Sequence, residues 1–291
     1  MSKVWLITGS SRGLGRDLAA AVLAAGHRLV ATARKAEDLQ HLTAQYGDHV
    51  RAVALDVTDA AAARAAVAVA TSTWGRLDLV VNNAGYANIN SIEDVADDDF
   101  RAQLETNFFG VVNVTRAALP VLRAQKSGHI IQISSIGGRR GTPGLSAYQS
   151  AKWAVEGFSE VLSMETASFG VRVTLVEPGG FRTDWAGSSM RIDEIREEYQ
   201  ASIGFIARKN PELLRGDPAK AAQAILQLAA MADPPLRLLL GTDAVFLAAD
   251  VLRRRAEEDA RMKPLSVTTD FDGMVDFADT PIAALLTGQK K

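Results

Sequence analysis

Seven short apolar runs alternate with longer segments whose apolar residues recur at helical spacing, and few folds accept that alternation. The runs are Val4–Ile7, His27–Arg34, Val50–Leu55, Leu77–Val81, Gly128–Ile133, Val171–Val176 and Leu236–Leu240. Strands joined through helices run parallel, and a parallel sheet must be covered on both faces. The pattern therefore predicts a doubly wound α/β chain. Nearly half of the 291 residues are apolar (47%), enough to bury one large core as a single domain.

The first run ends in Thr8-Gly9-Ser10-Ser11-Arg12-Gly13-Leu14-Gly15, and helical spacing starts at once with Leu14, Leu18, Ala21, Val22 and Ala25. Glycines between a first strand and a first helix let backbone approach a pyrophosphate, which the helix amino terminus attracts with unpaired N–H groups. An ordinary strand-to-helix turn is the bland alternative. At the end of the second run, where NAD-binding folds usually carry a carboxylate for the ribose 2′-hydroxyl, this chain has Ala33 followed by Arg34. Arg34 with Arg12 would clasp a 2′-phosphate through charge-assisted bonds, which favours NADP(H) over NAD(H). Two solvated surface arginines are the competing reading.

Helices are expected over Ala36–Tyr46 and Ala60–Thr73, the latter stopped by Gly75. Asp56, closing the third strand before Val57, would either accept from an adenine amino group or cap the helix starting near Asp59. The fourth strand delivers Asn82-Asn83-Ala84-Gly85, small residues beside which a flat ligand fits; Asn83 would either face that ligand or tie strands together. After Asp97-Asp98-Asp99 one long amphipathic helix is expected, its buried stripe running from Phe100 through Leu104, Phe108, Val111, Val112, Thr115 and Leu119 to Leu122. Asn107 lies within that stripe, so its amide needs a partner. Asn113 lies off the stripe's centre and carries no functional reading.

The chemistry is concentrated after the fifth strand. Tyr148 and Lys152, four apart on a helix, share one face, and the cation favours a phenolate. Ser135, thirteen positions earlier, sits at the carboxyl end of a buried strand, where open parallel sheets bind ligands. Pro178-Gly179-Gly180 forms a rigid loop at the same edge, and Thr183 beyond it could hold a carboxamide. The segment around 184–216, with Trp185, Met190, Ile195, Phe205 and Ile206, interrupts the alternation either as a substrate lid or as a core-packing excursion. A helix over Asp217–Met231, a charged helix over Thr242–Met262 and a tail from Pro264 complete the chain.

A formal charge of −2 gives no bulk attraction to nucleic acid or to an anionic membrane, so small molecules are the expected partners. The absence of cysteine excludes disulfides and thiolate metal sites, and His27, His41, His49 and His129 lack ligand spacing, so no metal is expected. Val4–Ile7 is too short for a signal segment and no run approaches the ~20 residues of a membrane span, which makes a soluble cytoplasmic protein the expectation.

Taken together, these residues resemble the short-chain dehydrogenases/reductases. The resemblance covers roughly residues 4–185 and continues in strand order to about 240. It rests on Thr8-Gly9-x-x-x-Gly13-x-Gly15, Asn82-Asn83-Ala84-Gly85, Asn107, Ser135, Tyr148-x-x-x-Lys152 and Pro178-Gly179. It implies a Rossmann fold with a seven-stranded parallel sheet flanked by helices, one domain over 1–291 with its core about 4–240, and a C-terminal helical extension over 241–291. It also implies hydride transfer between a nicotinamide and a carbonyl or alcohol carbon.

By that resemblance Tyr148 is the general acid or base, Lys152 lowers its pKa and binds the nicotinamide ribose, Ser135 polarises the substrate oxygen and Asn107 fixes a relay water. Gly9, Ser11, Arg12, Gly13, Leu14, Gly15, Arg34, Asp56, Val57, Asn83, Ala84, Gly85, Pro178, Gly179 and Thr183 would line the cofactor together with Tyr148 and Lys152. Ser135 is preferred to Ser134 for its spacing to Tyr148. Gln149 is bulkier than the residue commonly found there, and the long tail departs from the shorter members. Phe108-Phe109 and the loop from Phe181 to Trp185 resemble hydroxysteroid and retinol dehydrogenases and hint at an apolar substrate. A homodimer or homotetramer is the family expectation. The alternatives are an epimerase, dehydratase or enoyl reductase on the same fold, and a non-catalytic NADP(H)-binding sensor or scaffold.

Overall fold

The computed structural model describes residues 2–183, 190–207 and 214–287. The chain divides into two compact units, residues 1–248 and 249–291. In the first, seven parallel strands form one sheet: β1 (Val4–Ile7), β2 (Arg28–Ala33), β3 (Val50–Ala54), β4 (Leu79–Asn82), β6 (Gly128–Ile133), β7 (Val171–Pro178) and β9 (Arg237–Leu240). Their order is β3-β2-β1-β4-β6-β7-β9. The chain winds outward from β1 in both directions, so the order reverses between β1 and β4. A crevice opens there at the carboxyl ends of the strands.

Alternation along β1 sorts its side chains. Trp5 and Ile7 face a core closed by Leu18 and Val22 of α1 (Gly13–Ala24) and Ile225 and Leu228 of α8 (Pro218–Ala230). Val4 and Leu6 face the other, closed by Ala66 and Val67 of α3 (Ala60–Trp74), Val114 and Leu122 of α5 (Gly110–Gln125) and Leu162 of α6 (Ser146–Thr166). A parallel sheet buried on both faces requires this division.

Caps set the helix boundaries. Asp59 accepts the N–H groups of Ala61 and Ala62 at 2.7 and 3.0 Å, and Gly75 ends α3 in the left-handed conformation at φ 72°. Asp56 therefore does not cap α3. Its carboxylate accepts the N–H and hydroxyl of Thr58 at 3.0 and 2.8 Å, stiffening the turn after β3. Asp217 caps α8.

Three features differ from the sequence-based expectations. The long helix after Asp97 is two helices, α4 (Asp97–Leu104) and α5, joined by a π turn over Glu105–Phe109. Three-residue strands β5 (Ala87–Ile89) and β8 (Met190–Ile192) pair in a second small sheet. The segment before α8 thus includes a strand and a helix, α7 (Glu197–Ala207). The second unit holds the rest of α9 (Thr242–Ser266), which runs past Pro264, and α10 (Pro281–Thr287) within the tail.

Candidate active site

The loops at the crevice are assembled by polar side chains and by the room that glycine leaves. The Thr8 hydroxyl accepts the N–H groups of Asn83 and Ala84 at 2.9 and 3.0 Å, while Asn83 Nδ2 donates to the carbonyls of Thr8 and Gly9 at 2.9 and 3.1 Å. The Asn83 side chain is therefore a tie between the glycine loop and the end of β4. Gly9 holds φ 67° with Ala84 Cα 3.0 Å from where a Cβ would stand. At Gly15 a Cβ would overlap the Gly9 carbonyl and Asn83 Nδ2. A hypothetical Cβ on Gly13 would meet Thr183 at 3.6 Å, so the first and last parts of the expected cofactor cradle are adjacent.

Ser11, Leu14, Ala84, Gly85, Pro178, Gly179 and Thr183 are all half-buried along this edge. Val57 is buried; its carbonyl accepts Asn113 Nδ2 at 3.0 Å, so Asn113 pins the loop after β3 to α5. Pro178 belongs to β7, opposite Leu240, and the Gly179 N–H donates to the Leu240 carbonyl at 2.9 Å. Arg12 precedes α1 and Arg34 follows β2. Both are exposed, and among the described residues no carboxylate pairs with either. Backbone cradles that no Cβ could enter suit the close approach of a dinucleotide's phosphates.

Three successive residues at the end of β6 reach three residues of α6. Lys152 Nζ donates to the Ile133 carbonyl at 2.7 Å, Ser134 Oγ donates to Glu156 Oε1 at 2.6 Å, and the Ser135 side chain hydrogen-bonds the Tyr148 phenol. Ser135 rather than Ser134 is thus the hydroxyl at the tyrosine, because the Ser134 hydroxyl is held by Glu156. Ser135 Oγ also accepts the Gly137 N–H at 3.0 Å, which fixes its rotamer. Gln149, the bulky departure, accepts the Thr142 N–H at 2.6 Å and braces the loop leading into α6.

Lys152 Nζ lies 5.6 Å from the centre of the Tyr148 ring. The pairing does not lower the phenol in the protein alone. Burial pushes Tyr148 up to about 12 against the Ser135 hydrogen bond, and burial brings Lys152 down to about 8 against the charge of Glu156. Desolvation outweighs the Ser135 bond at Tyr148 and the Glu156 charge at Lys152, leaving the phenol protonated at neutral pH, the form that donates a proton.

Asn107, fully buried, has the partners its position demanded. Its Nδ2 donates to the carbonyls of Tyr86 and Gln103 at 2.9 and 2.8 Å, and its Oδ1 accepts the Tyr86 N–H at 3.1 Å. It sits in the π turn, where widening of the helix shifts an amide out of the regular ladder. A Cβ on Gly85 would stand 2.5 Å from Asn107 Oδ1 and 3.9 Å from Lys152 Nζ, which gathers Gly85, Asn107 and Lys152 in one place.

Of the segment expected to be a lid, residues 184–189, Trp185 among them, and 208–213 lie outside the described residues. The described part is tied down. β8 pairs with β5, Arg191 bridges Asp99 at 3.3 Å, Arg196 pairs with Glu93 and Asp94, and the Tyr199 hydroxyl donates to Glu93 at 2.8 Å. Ile203 and Ile89 close on Gly144, just before the catalytic helix. Phe108 packs against Val111, Val155 and Leu175, and Phe181 packs against the core beside α8. Thr8 was read only as the start of the glycine motif and Glu156 not at all, because each acts through partners far away in the chain.

Residues 3–192 match the family model described as short chain dehydrogenase. Over 273 residues the chain is 51% identical to the oxidoreductase BOA17 of Botryotinia fuckeliana, covering 92% of this chain and 100% of that one. A solved short-chain dehydrogenase from Streptomyces avermitilis superposes with a TM-score of 0.88 at 39% identity, covering 92% and 98% of the two chains. One from Burkholderia cenocepacia, in complex with NADP, does so at 0.72 and 27%, covering 90% and 97%.

Proposed function

From the premise that the chain belongs to the short-chain dehydrogenase/reductase family of NAD(P)-dependent oxidoreductases, we propose that it moves hydride between NADP(H) and the carbonyl or secondary-alcohol carbon of an apolar small molecule. The observation that carries the reading is the meeting of Ser135, Tyr148 and Lys152 at the end of β6, beside the glycine cradle. The reduced nicotinamide supplies the hydride. Ser135 holds the substrate oxygen, and Tyr148, protonated at neutral pH, gives its proton to that oxygen as charge develops there. The alcohol leaves with the added hydride and proton, and Tyr148 regains a proton through Lys152 and a water oriented by the Asn107 turn.

The preference for NADP(H) rests on Ala33 in place of an acid and on Arg12 and Arg34, which pair with no carboxylate among the described residues. The apolar substrate rests on the apolar residues of segment 190–207, where Phe205 on α7 remains 50% exposed. No helix of the described residues is long and apolar enough to cross a membrane. The setting we propose is a cytoplasmic homodimer or homotetramer, in which residues 1–248 carry the chemistry.

Titration of the purified protein with NADPH and NADH, followed by turnover against hydrophobic ketones, aldehydes, steroids and retinoids, tests the reading. Tighter NADPH binding with a turned-over ketone supports it. Tighter NADH binding overturns the phosphate clasp, and cofactor binding without turnover favours the sensor.

A further inference from the structure

Beside the catalytic helix lies a cluster of charges that the proposed chemistry does not use. Glu156, one turn after Lys152 on α6, is only 8% exposed. Its Oε1 accepts the Ser134 hydroxyl and its Oε2 accepts Arg237 Nε of β9 at 3.1 Å. Arg237 also bonds Glu160 Oε2 at 2.7 Å and lies 3.6 Å from Glu177 Oε1. Glu177 on β7 has a fully buried side chain and is gripped by Arg139 at 2.9 Å. Three carboxylates thus face two guanidiniums, and an uncompensated buried charge is expensive. The nearest further cation on α6 is Lys152.

We propose that Glu156 is the counter-ion of Lys152 and, through Ser134, the residue that fixes the register of α6 against Ile133–Ser135, a positioning role for the proposed reaction. Two physical requirements meet in this one side chain. Lys152 is stripped of water, and around it stand the Ile133 carbonyl, the Tyr148 ring and the Gly85–Asn107 corner, all uncharged, so Glu156 is the carboxylate that opposes its desolvation. The Ser134–Glu156 bond stands beside the Ile133–Lys152 and Ser135–Tyr148 contacts, so three successive residues of the strand end are tied to three successive turns of α6. A slip of the helix would break all three together. Glu156 in turn is bonded by Arg237 of β9, which also reaches Glu160 and Glu177 of β7, so the charge cluster on these strands holds Glu156 in place.

The inference rests on the reading of Lys152 given above, and its test does not depend on turnover. In protein carrying 13C-labelled lysine, the Lys152 signal, assigned by its loss in Lys152→Met, is titrated with pH. In Glu156→Gln, which keeps the shape and the acceptor for Ser134, the midpoint falls by about one pH unit or more, a tenfold change in proton affinity. In Glu156→Asp, which keeps the charge, it stays closer to the wild type. An unmoved midpoint in Glu156→Gln overturns the proposal and leaves Glu156 a packing residue. Should that variant not fold, the wild type decides: a Lys152 midpoint below pH 7 contradicts a counter-ion that holds it charged. Full turnover in Tyr148→Phe would instead remove the catalytic reading and leave this one standing.

Discussion

Gly85 packs so closely against Asn107 that a Cβ on the glycine would stand 2.5 Å from the amide oxygen. That oxygen accepts the Tyr86 N–H, and the same amide donates to Tyr86 and Gln103. Gly85→Ala must therefore displace a buried amide whose bonds are all made. Overpacking of this kind costs about 1–3 kcal/mol. Urea unfolding should show that loss, and turnover should fall with it because Lys152 borders the same space.

Gly15 meets a harder limit. Its missing Cβ is the space occupied by the Gly9 carbonyl and the Asn83 amide, both parts of the fixed scaffold. Gly15→Ala is expected to push α1 away from the loop and abolish cofactor binding, measured as loss of NADPH fluorescence enhancement. Circular dichroism should show the sheet intact.

Arg12 and Arg34 carry the choice of cofactor. A hydrogen bond to a charged group contributes about 1.5–3 kcal/mol, so Arg34→Ala and Arg12→Ala should each weaken NADPH roughly tenfold to hundredfold and leave NADH almost unchanged. Equal losses for both cofactors would remove the arginines from the phosphate site.

His129 gives a pH dependence with a definite sign. Burial, with Lys3 and Arg172 adding to it, brings its pKa down to about 4, while its Nε2 bonds the Thr174 hydroxyl at 2.9 Å. The unfolded chain binds the proton from about pH 6.5 downward and the folded chain only near 4, so stability is lost as pH falls between those values. The loss approaches about 3 kcal/mol. Glu177 opposes it: burial, then Glu156, push its carboxyl up to about 7, so the folded state takes up that proton first and gains stability as pH falls from 7 toward 4.5. Denaturant titrations of wild type and His129→Gln at pH 7 and 4.5 separate the two. The difference in stability between them should change in favour of the variant on acidification.

Much of the sheet was legible because each buried strand is a short run between a turn and a helical segment. Gly128–Ile133 and Val4–Ile7 have the boundaries expected of them. The cap of α3 was read, as one of two alternatives, onto Asp56, three residues early; the distances place it on Asp59. The π turn was not, because inserting one residue per turn leaves the apolar stripe of α4 and α5 almost unchanged. Strands β5 and β8, three residues each and 103 positions apart, are too short to show a period. The upward shift of Tyr148 was not legible, because a helical spacing reports a neighbour and says nothing of the water removed from the phenol.

The central claim is that Tyr148 delivers the proton while the rest of the site binds cofactor, and Tyr148→Phe tests it most directly. The variant's rate should be measured against a substrate that the wild type turns over, with NADPH affinity determined alongside. Loss of a positioned acid costs about 10²–10⁴ in rate, so turnover should fall by that factor with NADPH affinity within roughly threefold of wild type. Turnover close to wild type would contradict the claim and remove Tyr148 from the reaction.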